Sequence, residues 1–187
     1  MEAYLILLRG INVGGRNPVP MARLRTLLED LGYKDVSTYI ASGNVLLRSD
    51  KTPAAVKAEI EAALPMTFDL HSERLDILVL TRDQLHAIIA EKPKGFGEQP
   101  ETYSSDAIFL IGIDAAEAMQ VFDPRPDVDA VWAGNGVIYS QRLSAQRTKS
   151  RLGKIVGTPA YMSMTIRNWN TTTKLLELLE QMESDAV

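Results

Sequence analysis

The alternation of strand-like and helix-like patterns constrains this chain most, because the same order runs through it twice. Tyr4 to Leu8 is an apolar run of strand length, and Met21, Leu24, Leu27, Leu28 and Leu31 then fall at helical spacing. Pro20 suits the first turn of that helix and Gly32 its stop. Val36 to Ala41 and Val45 to Leu47 read as strands joined by the hairpin signal Ser42-Gly43-Asn44. Thr52-Pro53 opens a second helix with Val56, Ile60 and Leu64 on one face, and Leu75 to Leu80 is a fourth strand. Thr81-Arg82-Asp83-Gln84 has capping-box spacing before a third helix.

The order then recurs. Ala107 to Gly112 reads as a strand and Asp114 to Phe122 as a short helix. Val128 to Ala133 and Val137 to Ser140 are strands around Gly134-Asn135-Gly136. Ser150 to Val156 reads as a helix, Met162 to Ile166 as a strand, and Asn168 opens a long helix. The hairpins echo each other in letters, Ala41 to Leu47 against Ala133 to Tyr139. The class implied is α+β: a tandem duplication of two ferredoxin-like β-α-β-β-α-β subdomains. Each has an antiparallel sheet ordered 4-1-3-2 and is followed by an extra helix. The first is expected over 1–92 and the second over 102–187. A linker is expected at 93–101, inside the polar stretch Lys92 to Glu101 with its prolines and glycines.

Composition removes several chemistries. With no cysteine there is no disulfide, thiolate metal site or cysteine nucleophile. The two histidines, His71 and His86, cannot make a His-rich metal site, so neither a metal nor a cofactor is expected. A net charge of −4 without a basic stripe argues against duplex DNA as a partner. A local basic pocket is compatible with Arg142, Arg147, Lys149, Arg151, Lys154 and Arg167, which cluster late in the chain. The apolar run Tyr4 to Leu8 is shorter than the roughly 7–15 residues of a signal core, and no run approaches the roughly 20 of a membrane span. The expectation is a cytoplasmic protein without a membrane partner.

Two segments stand out as chemistry. Arg9-Gly10-Ile11-Asn12-Val13-Gly14-Gly15 follows the first strand. Its glycines let backbone N–H groups approach an anion, and Arg9 offers a bidentate clamp. The competing reading is a strand-to-helix loop that needs positive φ at its glycines. In a 4-1-3-2 sheet this loop and the Ser42-Gly43-Asn44 hairpin are neighbours. Arg167-Asn168-Trp169-Asn170-Thr171 lies where the last strand turns into the last helix. One asparagine suffices as N-cap, so the second is surplus to capping. Arg147-Thr148-Lys149-Ser150-Arg151 adds cations before the preceding helix.

Leu8 to Gly15, Thr38 to Val45, and Thr165 to Thr171 with Lys174-Leu175 resemble the hallmark blocks of DUF1697, a bacterial family of uncharacterised proteins. Met21, Leu24 and Lys149 also fit. The resemblance implies an α+β fold of two ferredoxin-like subdomains and brings no established activity or cofactor.

The function expected is binding of a small anionic ligand, a nucleotide or sugar phosphate. Arg9, Asn12, Gly14, Gly15, Ser42 and Asn44 form one wall. Lys149, Arg167, Asn168 and Asn170 form another if the two halves face correctly. A transferase or hydrolase acting on such a ligand is the alternative. It ranks lower because no base or nucleophile stands out, although positioning and electrostatics alone can catalyse. RNA binding is a third reading. The acidic balance and the missing aromatic strand pattern argue against it.

Overall fold

The computed structural model describes residues 1–71 and 75–184. It is a mixed α+β fold with two four-stranded antiparallel sheets, ordered β2-β3-β1-β4 and β6-β7-β5-β8. Two compact units divide the chain, Met1–Leu85 with Leu175–Val187, and His86–Lys174.

The first sheet contains β1 (Glu2–Leu8), β2 (Lys34–Tyr39), β3 (Asn44–Ser49) and β4 (Ile77–Thr81). Helices α1 (Met21–Asp30) and α2 (Pro53–Thr67) supply its crossovers. Every residue of β1 after Glu2 is buried, as expected of a strand covered on both faces. Alternate residues Tyr4, Ile6 and Leu8 join Leu24 and Leu28 of α1 and Val56, Ile60 and Leu64 of α2 in one core. Thr52 caps α2 by accepting from Ala55 N, and Pro53 sits where its missing N–H costs nothing. A reciprocal capping box starts α3 (Arg82–Ala90). Thr81 N donates to Gln84 Oε1 at 2.9 Å, and Gln84 N donates to Thr81 Oγ1 at 3.2 Å.

The second sheet contains β5 (Tyr103–Leu110), β6 (Asp129–Ala133), β7 (Val137–Leu143) and β8 (Met164–Asn168). Ile108, Leu110, Ile138 and Met164 pack with Ala118 of the short helix α4 (Ala115–Met119) and with Ile155. The opposite face carries an aromatic cluster. Phe96 makes edge contacts with Trp132, Tyr139 and Trp169 at centroid distances of 5.9, 5.4 and 4.9 Å. The polar stretch read as a linker therefore contributes a core residue, Phe96, that is almost wholly buried.

The helix expected over Ser150 to Val156 is instead a 3₁₀ run, Leu152–Gly157, between 3₁₀ runs Ser144–Lys149 and Pro159–Ser163. Gly153 and Gly157 are poor helix formers, and Pro159 follows at once, so no α-helical nucleus propagates. Helix α5 (Trp169–Ser184) begins in the second unit, and its residues from Leu175 belong to the first. There Arg48 Nη1 donates to Met182 O at 3.0 Å, and Arg82 pairs with Glu183 at 2.8 Å.

Candidate functional site

In the first unit the glycine loop is a small finger. Val13 and Arg16 form an isolated antiparallel bridge around Gly14 and Gly15, whose φ values of 57° and 76° make a two-residue turn with both φ positive. Asn12 and Asn17 flank it, both left-handed, and Asn12 N donates to Asn17 O at 3.0 Å. Asn12 is fully engaged. Its Nδ2 donates to Val19 O and Ala41 O, each at 2.9 Å, and its Oδ1 accepts from Val19 N at 2.8 Å. The bond to Ala41 ties the finger to the hairpin, and Leu8 N at the end of β1 donates to Gly43 O at 2.8 Å.

Gly43 must be glycine. A Cβ there would lie 2.9 Å from Leu8 Cβ and from Ile11 Cδ1, and its φ is 81°. Asn44 is buried, and its Nδ2 donates to Tyr39 O and Ser42 Oγ, each at 3.0 Å. Arg9 N donates to Asp76 O. The loop of Arg9, Asn12, Gly14 and Gly15 is thus held against the hairpin of Ser42 and Asn44, chiefly by bonds to Val19, Ala41, Tyr39 and Asp76.

The second unit treats its asparagines differently. Asn168 ends β8 and caps α5, its Oδ1 accepting from Thr171 N at 2.7 Å. Among the described residues, Asn168 Nδ2 and the Asn170 side chain make no hydrogen bond, and both residues are exposed. Trp169 between them is buried against Phe96. Gly97 makes room for the indole, because a Cβ there would overlap Trp169 Cδ1 and Nε1.

These residues border a cavity of about 240 Å³ lined by Tyr103, Ser104, Ser105, Ser144, Asn168 and Asn170, with Gly97, Pro100 and Trp169 completing its wall. A second cavity of about 510 Å³ is lined by Ser104, Arg142, Ser144, Ala145, Arg147 and Thr148. Ser104 and Ser144 line both cavities, so the two adjoin as parts of an open groove. Its larger part falls in the range of small-molecule sites, roughly 300–1,000 Å³.

Strand register sets the charges beneath the groove. Arg142 of β7 pairs with Ser104 of β5 and with Asp129 of β6, while Asp106 pairs with Ser140 and Asn168. Residues opposed in register share a sheet face, so all six point to the same side. Burial raises the Asp106 pKa, against the pull of Arg142. Burial pushes Asp129 the same way. It is overcome by hydrogen bonds from Arg151 N, Ser150 and Arg125 N and by Arg142, so Asp129 ends below the usual range.

Arg167 lies on the other face, opposite Ala107, and is 7% exposed. Its Nη1 donates to Thr165 Oγ1 at 3.0 Å and Ile166 O at 2.8 Å, and burial lowers its pKa to about 10. It lines neither cavity. Nor does Lys149, whose carbonyl accepts from Arg125. Arg151 and Lys154 pair with Asp123 at 3.2 and 3.5 Å. Of the late basic cluster, Arg142 and Arg147 therefore reach the groove.

Sequence reasoning passed over Tyr103, Ser104, Ser105 and Ser144. The available signal was the switch within β5 from Tyr-Ser-Ser-Asp to Ala-Ile-Phe-Leu, which marks where the strand leaves the core.

Fold and groove together define a two-sheet α+β protein with a polar, partly basic groove in its second unit. Among the described residues it has no cluster placed to hold a metal and no helix long and apolar enough to cross a membrane. The chain belongs to the DUF1697 family, described as proteins of unknown function, whose model matches residues 1–139. That match takes in the glycine finger and ends within β7, before Arg142 and Asn168. The chain is also similar to the solved structure of a conserved bacterial protein from Streptococcus pneumoniae. The identity is 26% and the TM-score 0.76, over 95% of this chain and 98% of that one. No curated protein matches it.

Proposed function

We propose that the groove of the second unit binds a small anionic ligand. The observation that carries this reading is the adjacency of the two cavities, which share Ser104 and Ser144 as lining residues. It joins the uncommitted amides of Asn168 and Asn170 to the guanidinium groups of Arg142 and Arg147. Among the described residues Arg147 has no ion pair, so its charge is open to a ligand. Lys149 adds positive potential from the same 3₁₀ run, and Arg167 adds a fixed charge behind the sheet. Arg9, Asn12, Gly14, Gly15, Ser42 and Asn44 lie in the first unit and line neither cavity, so the ligand is held without them. The matching strand orders of the two sheets support the further view that each is a ferredoxin-like copy of one duplicated ancestor.

Isothermal titration with a panel of sugar phosphates and nucleotides tests the reading. Binding that weakens about tenfold in Arg147→Ala is expected. Failure of every phosphate compound to bind, or equal binding by the variant, removes it.

An enzyme acting on the same ligand is the second reading. It is favoured by one observation, the desolvated carboxylate of Asp106 on the face shared by Ser104 and Asn168. Hydrolysis of a phosphate monoester that disappears in Asp106→Asn would promote it, and an inactive wild-type protein would retire it.

A further inference from the structure

We infer that the ligand class is a nucleoside monophosphate, with the base in the neutral cavity and the single phosphate against Arg142 and Arg147. The inference rests on the binding reading above and narrows it in two steps.

The first step concerns the neutral cavity. The residues that line it, Tyr103, Ser104, Ser105, Ser144, Asn168 and Asn170 among them, carry hydroxyl and amide groups and no carboxylate, although the Ser105 hydroxyl is held by Gln141. Vicinal sugar hydroxyls are held best by ionised carboxylates, which accept without competing to donate. A nucleobase edge alternates donors and acceptors, and an asparagine amide matches such an edge with both of its groups. Asn170 offers both and Asn168 a spare Nδ2, in a cavity that Trp169 and Tyr103 also line. This favours a base over a second sugar or a free sugar phosphate.

The second step concerns charge. Arg142 stands between two carboxylates, Asp129 across one strand pair and Asp106 diagonally across the other. Its charge is therefore largely offset from within the sheet, and Arg147 supplies the remaining positive charge lining the groove. A triphosphate carries more negative charge than these two arginines offset. One phosphate fits the charge available.

Titration calorimetry on the full chain with AMP, GMP, CMP, UMP, ATP, GTP and ribose 5-phosphate decides the matter. At least one monophosphate is expected to bind about tenfold more tightly than ribose 5-phosphate. Its triphosphate should bind no more tightly than it does. Asn170→Ala should weaken the monophosphate about fivefold and leave ribose 5-phosphate unchanged, because one neutral hydrogen-bonding group is lost. Arg147→Ala should weaken both. Equal affinity for ribose 5-phosphate and every monophosphate overturns the inference while the anionic-ligand reading stands. A triphosphate that binds tenfold more tightly overturns it too. Absence of binding by all of these compounds brings down both readings together.

Discussion

The glycine finger and the strand-to-helix step before α5 use the same residue type to opposite ends. In the finger, Asn12 spends both amide protons and its oxygen on Val19 and Ala41, and buried Asn44 spends its amide on Tyr39 and Ser42. In the step, Asn168 spends only its oxygen, as a cap, and the Asn170 side chain stays uncommitted at a cavity wall. A motif rich in asparagine and glycine therefore does not identify a binding surface. What matters is whether the loop has already satisfied its own polar groups.

The comparison breaks most sharply through steric variants. Gly97→Ala places a Cβ onto the Trp169 indole at a φ of 74°, so it should lower unfolding free energy by about 3 kcal/mol in denaturant titration. Gly43→Ala does the same to the hairpin against Leu8 and Ile11. Its expected cost is about 2 kcal/mol, since the contacts are longer. If the Gly97 variant is as stable as the parent, Trp169 is not held where the cavity requires it.

Asn12→Ala should cost about 1.5 kcal/mol, because three hydrogen bonds that pin the finger to Val19 and Ala41 are lost. Ligand affinity should be unchanged. Asn170→Ala should behave inversely, with stability within about 0.5 kcal/mol of the parent and weaker binding. A weakened ligand and unchanged stability in Asn12→Ala would erase the distinction between the two loops.

A pH experiment sharpens the second region. Burial raises the Asp106 pKa in the folded state, so ionising it costs stability once pH exceeds that value. The cost is fully present at neutral pH, fades as pH falls through the folded pKa, and is gone below the unfolded value of about 3.9. Asp106→Asn should therefore raise Tm at pH 7, and the difference should shrink steadily toward pH 4. A constant difference across that range would mean that Asp106 is not desolvated.

A further stabilising change concerns Ile40, an exposed β-branched residue held at φ 51° in the hairpin turn. Ile40→Asn should add about 1 kcal/mol, as asparagine tolerates the left-handed region that strains isoleucine.

Much of the first unit was legible in letters. The run Tyr4 to Leu8, the helical spacing of Leu24 and Leu28, and the caps at Thr52 and Thr81 are local signals, and they coincide with β1, α1, α2 and α3. The second half was harder to read. Ser150 to Val156 reads as a helix in the sequence, but Gly153, Gly157 and Pro159 hold Leu152–Gly157 to 3₁₀ turns. Phe96 sat in a polar stretch and still became the centre of an aromatic cluster, through partners 36 to 73 residues further along the chain.

The sequence by itself determined most of the elements and their order, because periodicity, caps and turn residues act over a few neighbouring positions. It also determined which chemistries were absent, since the chain has no cysteine and two histidines. Only the tertiary structure decided which polar groups were already spent. That decision turned Arg167 inward beside Thr165, closed Asn12 onto Val19, and left Asn170, Arg142 and Arg147 on one groove. The physical reason is that satisfaction of a donor depends on strand register and on partners distant in sequence, and no local pattern records either.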